Sequence, residues 1–314
     1  MNNKISKINL NHSLLFFLII NLLTFACFYL QVKNISPIIC LSFILTLGIS
    51  HGALDNYKGK KLFKIFNIDK FIFFYPSYIS IGIAIIVLWL IFPLTTFLIF
   101  LLIASYHFGK EDTQFLISKE NSFIQLLYLI KVILIILAPL HFHFNETINI
   151  FKFLFIENEV FFSLLGILEQ YRIIVIGIVI SSLSSVYFFI KNYNFNRTSI
   201  ILDYFSILLL NFYFEPLTAF TVYFCFLHSI RHIISLANEL DSTNIKKGLN
   251  LFWKKCLPLT IITILFFGLA FYWLINQYSL DNVIFKLIFI GLASLTFPHI
   301  LLEYFLEKNE RKTN

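Results

Sequence analysis

Apolar and polar positions along this chain fall into long blocks. Ten stretches, 14–32, 37–53, 71–92, 94–109, 122–141, 172–190, 199–214, 216–236, 256–276 and 283–306, are almost wholly apolar. Most approach or reach the roughly 17–25 residues that a helix needs to cross a bilayer. The pattern predicts an all-α, polytopic membrane helix bundle. It forms one domain over 14–306, between a tail at 1–13 and another at 307–314. The first stretch follows Lys4 and Lys7 like a signal peptide. It lacks a small-x-small cleavage site, and Phe25 spoils a lipobox at "TFAC", so it is read as an uncleaved helix. One further stretch, 145–171, carries Lys152, Glu157 and Glu159. A charge at the bilayer centre costs about 2.5–3.5 kcal/mol on insertion scales, so this stretch is expected as an interfacial helix or loop on the outer side.

Composition agrees with that reading. Of 314 residues, 59% are hydrophobic and only 13% charged, about half the charge of a soluble domain, and the mean hydropathy is +0.83. The net charge of +7 is therefore no nucleic-acid footprint. Its lysines gather in "NYKGKKLFKIFNIDK", "NIKKGLNLFWKK" and the C-terminal "EKNERK". With ten spans and a cytoplasmic N-terminus, all three fall inside, as the positive-inside rule expects, and both termini are cytoplasmic at the inner (plasma) membrane. The four cysteines, Cys27, Cys40, Cys225 and Cys256, lie in or beside apolar runs without CxxC spacing and read as small core residues.

The chemistry lies in the histidines. His12 is in the tail, and His141 and His143 mark the outer end of the fifth span. The other five, His51, His107, His228, His232 and His299, lie on even-numbered spans. At a rise of 1.5 Å per residue, each sits about 18–24 Å below the outer end of its span. Five imidazoles from four helices thus share one level, in the inner half of the membrane. His228 and His232 are four apart and face the same way. Such a set suits iron, copper, zinc or nickel. A lone membrane histidine is otherwise a helix–helix hydrogen-bonding group.

Asp55 follows His51 by four, and Asp112 follows His107 by five. Either can accept the second N–H of a ligand on another helix, or cap a helix end. Arg231 pairs with one of these acids or snorkels to the surface. Gly52 and Gly109 permit a helix break or a close backbone approach. Tyr106, Tyr223 and Phe108 lie beside candidate ligands.

"GISHGALD", "SYHFGKED", "FLHSIRH" and "FPHILLE", in this order over about residues 40–306, resemble the Brp/Blh family of integral-membrane β-carotene 15,15'-dioxygenases. The resemblance implies cleavage of the central double bond of β-carotene by O2 to two all-trans retinal, at Fe(II). It implies His51, His107, His228 and His232 as iron ligands and catalytic residues. His299 matches a family motif outside that set and is expected behind the ligands or in the pocket wall, with Asp55, Asp112, Arg231 and Tyr106. It also raises a functional link to a retinal-binding rhodopsin. The residues alone leave other classes open: a transporter with a His/Asp path, or a haem-binding electron-transfer protein with axial histidines. A histidine-box desaturase is disfavoured, because no HH dipeptide occurs.

Overall fold

In a computed structural model of the chain, the apolar blocks are helices. It describes residues 3–67, 70–117, 121–191 and 193–313, and their side chains except at 3, 51 and 310–313. Nine helical stretches among the described residues are long and apolar enough to cross a membrane, and the chain is a multi-pass membrane protein. The helices are α1 (Asn3–Leu30), α2 (Pro37–Phe43), α3 (Asp55–Ile65), α4 (Phe74–Ile91) and α5 (Pro93–Glu111). Then come α6 (Ser122–Val132), α7 (Leu134–Phe142), α8 (Phe144–Phe153), α9 (Glu159–Gln170) and α10 (Ile173–Ile190). The last five are α11 (Thr198–Tyr213), α12 (Pro216–Val222), α13 (Ile230–Leu240), α14 (Ile245–Leu274) and α15 (Leu280–Thr313).

Large apolar side chains cover the outside, among them Phe25 (73% exposed), Leu269 (65%) and Trp273 (69%). Lipid solvates such a surface, so hydrophobic burial alone does not hold the bundle together. Close packing and interhelical hydrogen bonds do. Ser181 and Ser184 of α10 donate to the carbonyls of Lys131 and Leu127 on α6. At Gly109 of α5, an added Cβ would lie 2.0 Å from the Tyr128 carbonyl oxygen, so the helices touch backbone to backbone.

The stretch at 199–214 corresponds to α11, whose 16 residues carry a buried polar stripe of Ser199, Asp203, Ser206 and Asn211. It packs on α1, α7 and α10. The charged stretch at 145–171 is two short helices, α8 and α9, neither long enough to span. Helix α1 begins at Asn3, so most of the expected N-terminal tail is helical.

Two helices near the centre are interrupted. After α2 comes a wide π-helical turn, Ile44–Gly48, then a 3-10 turn, Ile49–Leu54. After α12 comes a π-helical turn, Tyr223–Ser229, before α13 resumes. Each extra residue per turn shifts the side chains that follow around the axis, a distortion common at functional sites. The π turn at Tyr223–Ser229 carries Tyr223 and His228, and the 3-10 turn carries His51.

Candidate metal centre and apolar cavity

Four of the five co-level histidines converge. His107 of α5, His228 and His232 of the α12–α13 segment, and His299 of α15 are each 4% exposed or less. The His107 ring centre lies 5.2 Å from that of His299, 5.8 Å from His228 and 6.4 Å from His232. His232 and His299 are 5.8 Å apart. The His51 side chain lies outside the described residues. Its neighbour Gly52 borders the cluster, since a Cβ there would lie 3.9 Å from His299 Nδ1.

Each of the four histidines has its own carboxylate. His228 Nδ1 is 3.1 Å from Asp112, His232 Nδ1 is 2.8 Å from Glu111, and His299 Nδ1 is 2.8 Å from Asp55. His107 Nδ1 stands 3.5 Å from Glu303. A carboxylate on Nδ1 fixes the proton there and turns the lone pair of Nε2 outward, the usual arrangement behind a metal-bound histidine. His107 Nε2 is buried and makes no hydrogen bond among the described residues.

The carboxylates are anchored in turn. Tyr78 donates to Asp55 (2.6 Å) and Tyr223 to Asp112 (2.7 Å). Lys58 pairs with Glu303, and the Gln114 amide donates to Glu111 at 2.6 Å. Arg231 forms a two-point contact with Asp203 of α11 (2.8 and 3.2 Å), and donates to Ser13 of α1 and to the Asp112 carbonyl. Its carboxylate partner is thus Asp203 rather than Asp55 or Asp112. The π turn and α11 bring that acid into reach, a neighbour that residue spacing along the chain does not reveal. Tyr106 packs with Leu116, Ile124 and Tyr128. His141, at the other end of the bundle, is 3.2 Å from Glu169.

The charge balance of this arrangement favours a cation. Around the cluster, Asp55, Glu111, Asp112, Asp203 and Glu303 face Lys58, Lys131 and Arg231, all with side chains at most about one-seventh exposed. With all eight ionised, five negative and three positive charges leave two negative ones. A low-dielectric interior does not tolerate that uncompensated. A divalent cation bound by neutral imidazoles cancels it. Single donor atoms of His107, His299 and Glu303 lie within 4.8 Å of one another, as do those of Glu111, His232 and Glu303. Donor set, burial and charge therefore fit a metal. Glu111, Glu303, Lys58 and Asp203 were not singled out in the sequence. Glu111 and Glu303 stand four residues after His107 and His299, and that spacing was the available signal.

An apolar cavity ends at Phe108 and Phe224, whose rings separate it from His228. The Phe108 ring is 4.3 Å from His228, and the Phe224 ring stacks on it at 5.9 Å and 15°. Both line a cavity of about 100 Å³, which continues past Phe100 and Phe97 to Pro139, Thr147, Leu154 and Pro216. From Phe108 to Phe97 it follows α5 for about 16 Å. Helix α8 and the residues after it cover the far end. There Trp89 Nε1 donates to the Leu154 carbonyl (3.0 Å), and Lys286 binds the Phe153 carbonyl.

The family described as Beta-carotene 15,15'-dioxygenase matches residues 42–307. A protein of an uncultured marine bacterium, 66A03, named Beta-carotene 15,15'-dioxygenase, is 26% identical over 279 residues, covering 85% of this chain and 92% of that protein. No solved structure matches significantly.

Proposed function

This chain belongs to the beta-carotene 15,15'-dioxygenase family, and from that premise we propose that it cleaves the central double bond of β-carotene with O2, giving two all-trans retinal, at an Fe(II) ion in the membrane. The observation that carries this reading is the junction of the two halves of the site. A cluster of metal-competent imidazoles adjoins an apolar cavity through Phe108 and Phe224, which line the cavity and pack on the His228 ring. His107, His228 and His232, with His51 on the strength of the family resemblance, would hold the iron. Iron supplies the activation of O2.

The remaining work belongs to the side chains. The cavity marks the path for one half of a rod-shaped polyene, whose entry parts the phenylalanines that line it and excludes water, and its length sets how far the chain slides before the central bond meets the histidines. Positioning of this kind is a large part of such catalysis. Phe108 and Phe224 press on the His228 ring and on whatever enters, which aligns the double bond with the cluster. Asp112 and Glu111 keep Nδ1 of His228 and His232 protonated and their rings oriented. A substrate dissolved in lipid reaches the cavity between helices without an aqueous step. The lysine-rich ends face the cytoplasm in this reading, at the plasma membrane, and the retinal formed is available to a retinal-binding rhodopsin.

The test is expression in a bacterium that makes β-carotene. Cells should lose their yellow colour and accumulate retinal, and iron should co-purify near one equivalent without a Soret band. Persistent colour beside abundant iron-loaded protein overturns the proposal.

A further inference from the structure

We propose that His299 is itself a ligand of this metal, held in place by Asp55 and Tyr78, so that the centre contains one imidazole beyond the set implied by the family resemblance. The inference rests on the reading that the cluster binds a metal. It does not depend on what substrate is cleaved.

His299 is built like the accepted members of the cluster. It is 3% exposed, and its Nδ1 meets a buried carboxylate at 2.8 Å, as short as the His232–Glu111 contact and shorter than the His228–Asp112 contact of 3.1 Å. That carboxylate is fixed in turn by the Tyr78 hydroxyl, as Asp112 is by Tyr223. The anchor spans three elements: Tyr78 on α4, Asp55 at the start of α3 and His299 on α15. Such an anchor leaves the ring little freedom.

Distance is the stronger argument. With a metal–nitrogen bond of about 2.1 Å a ring centre stands roughly 3.2 Å from the ion, so rings on one ion lie roughly 4.5–6.4 Å apart. His299 is 5.2 Å from His107, nearer than His228 at 5.8 Å or His232 at 6.4 Å. His299 is also 5.8 Å from His232, so its spacings to two of the proposed ligands fall in the range for rings on one shared ion. Its Nε2 is also 3.6 Å from Glu303 Oε1, inside the donor group formed with His107. A histidine that served only to pack α15 against α3 would need the Asp55 contact alone, with no reason for the opposite nitrogen to enter the cluster.

The experiment reads the metal rather than retinal. Iron-loaded protein in nanodiscs is compared with His299→Ala and Asp55→Asn by X-ray absorption at the iron edge and by titration of the apoprotein with Fe(II). His299→Ala should lose one imidazole from the outer-shell scattering and bind iron far more weakly. Asp55→Asn keeps the imidazole and removes its anionic acceptor, so it should weaken binding about 10–100-fold. An unchanged scattering pattern and affinity in His299→Ala overturns the proposal. If that variant does not fold, wild-type affinity in Asp55→Asn does the same. A protein that cleaves β-carotene with His299 outside the shell leaves the proposed function standing. A protein that binds no metal removes both.

Discussion

The two halves of the site solve opposite problems. Around the histidines the carboxylates are held by name: four imidazoles on four carboxylates, and those carboxylates on Tyr78, Tyr223, Gln114 and Lys58. In the cavity almost nothing is held by hydrogen bonds, and shape alone acts through Phe97, Phe100, Phe108 and Phe224. A polar group in hydrocarbon must be paired or its penalty is severe, so the first half tolerates no loose member. An apolar wall has no such demand and can vary in detail while its volume is kept. The first half should therefore fail through its metal, and the second through its substrate.

Removing a ligand gives the largest effect. His228→Ala or His107→Ala should abolish retinal formation and bring bound iron to background in metal analysis. A variant that retains iron and activity breaks the ligand assignment. Next comes the cavity. Ala104 lines it one turn from Phe108, and Ala104→Phe should fill it beside the histidines. We expect a roughly 100-fold loss of retinal formation, the scale on which misplaced reactants lose rate, with iron content unchanged. Loss of both together would show that the two halves are not separable.

The same contrast explains what could be read in the sequence. Depth needed only the rise of a helix, and it placed His107, His228, His232 and His299 at one level. Partners were harder to read. In three places an acid follows a histidine by four residues: His51 and Asp55, His107 and Glu111, His299 and Glu303. On one helix that spacing suggests a local pair. In the fold the acids also reach across helices, Asp55 to His299, Glu111 to His232 and Glu303 to His107, while Glu303 keeps its local contact with His299 as well. Which helix neighbours which is not encoded in spacing, so Glu303 and Asp203 stayed hidden. The π turn at Tyr223–Ser229 was illegible for a related reason, because it changes the register from which such faces are counted. The cavity was legible only as an abundance of phenylalanine, most of which faces lipid or packs the core.

Glu303 tests the boundary of the polar half. It touches His107, His232 and His299 and carries the Lys58 ion pair. Glu303→Gln should weaken iron binding about 10–100-fold, as loss of an outer carboxylate usually does. It also leaves Lys58 without its anionic partner, and the variant should melt earlier. Combining it with Lys58→Met should recover the thermal stability and leave the iron affinity low. If iron affinity returns as well, the carboxylate acts through charge and not through His107.

The smallest effect is expected where neither half is touched. Ser181 and Ser184 join α10 to α6 through the Lys131 and Leu127 carbonyls. Interhelical hydrogen bonds inside membranes average about 0.6 kcal/mol, far less than the consequence of stranding a charge. The Leu127 carbonyl also keeps its bond within α6 when the Ser184 hydroxyl leaves. Ser184→Ala should thus lower unfolding stability in detergent by about 0.6 kcal/mol, with iron content and retinal formation at wild-type levels. A large loss of iron there would mean that the polar cluster depends on the exact placement of α6, whose Lys131 contributes one of its three cations and donates to Thr113 beside Asp112. The division between a rigid polar half and a tolerant apolar one would then have to extend to the helices behind them.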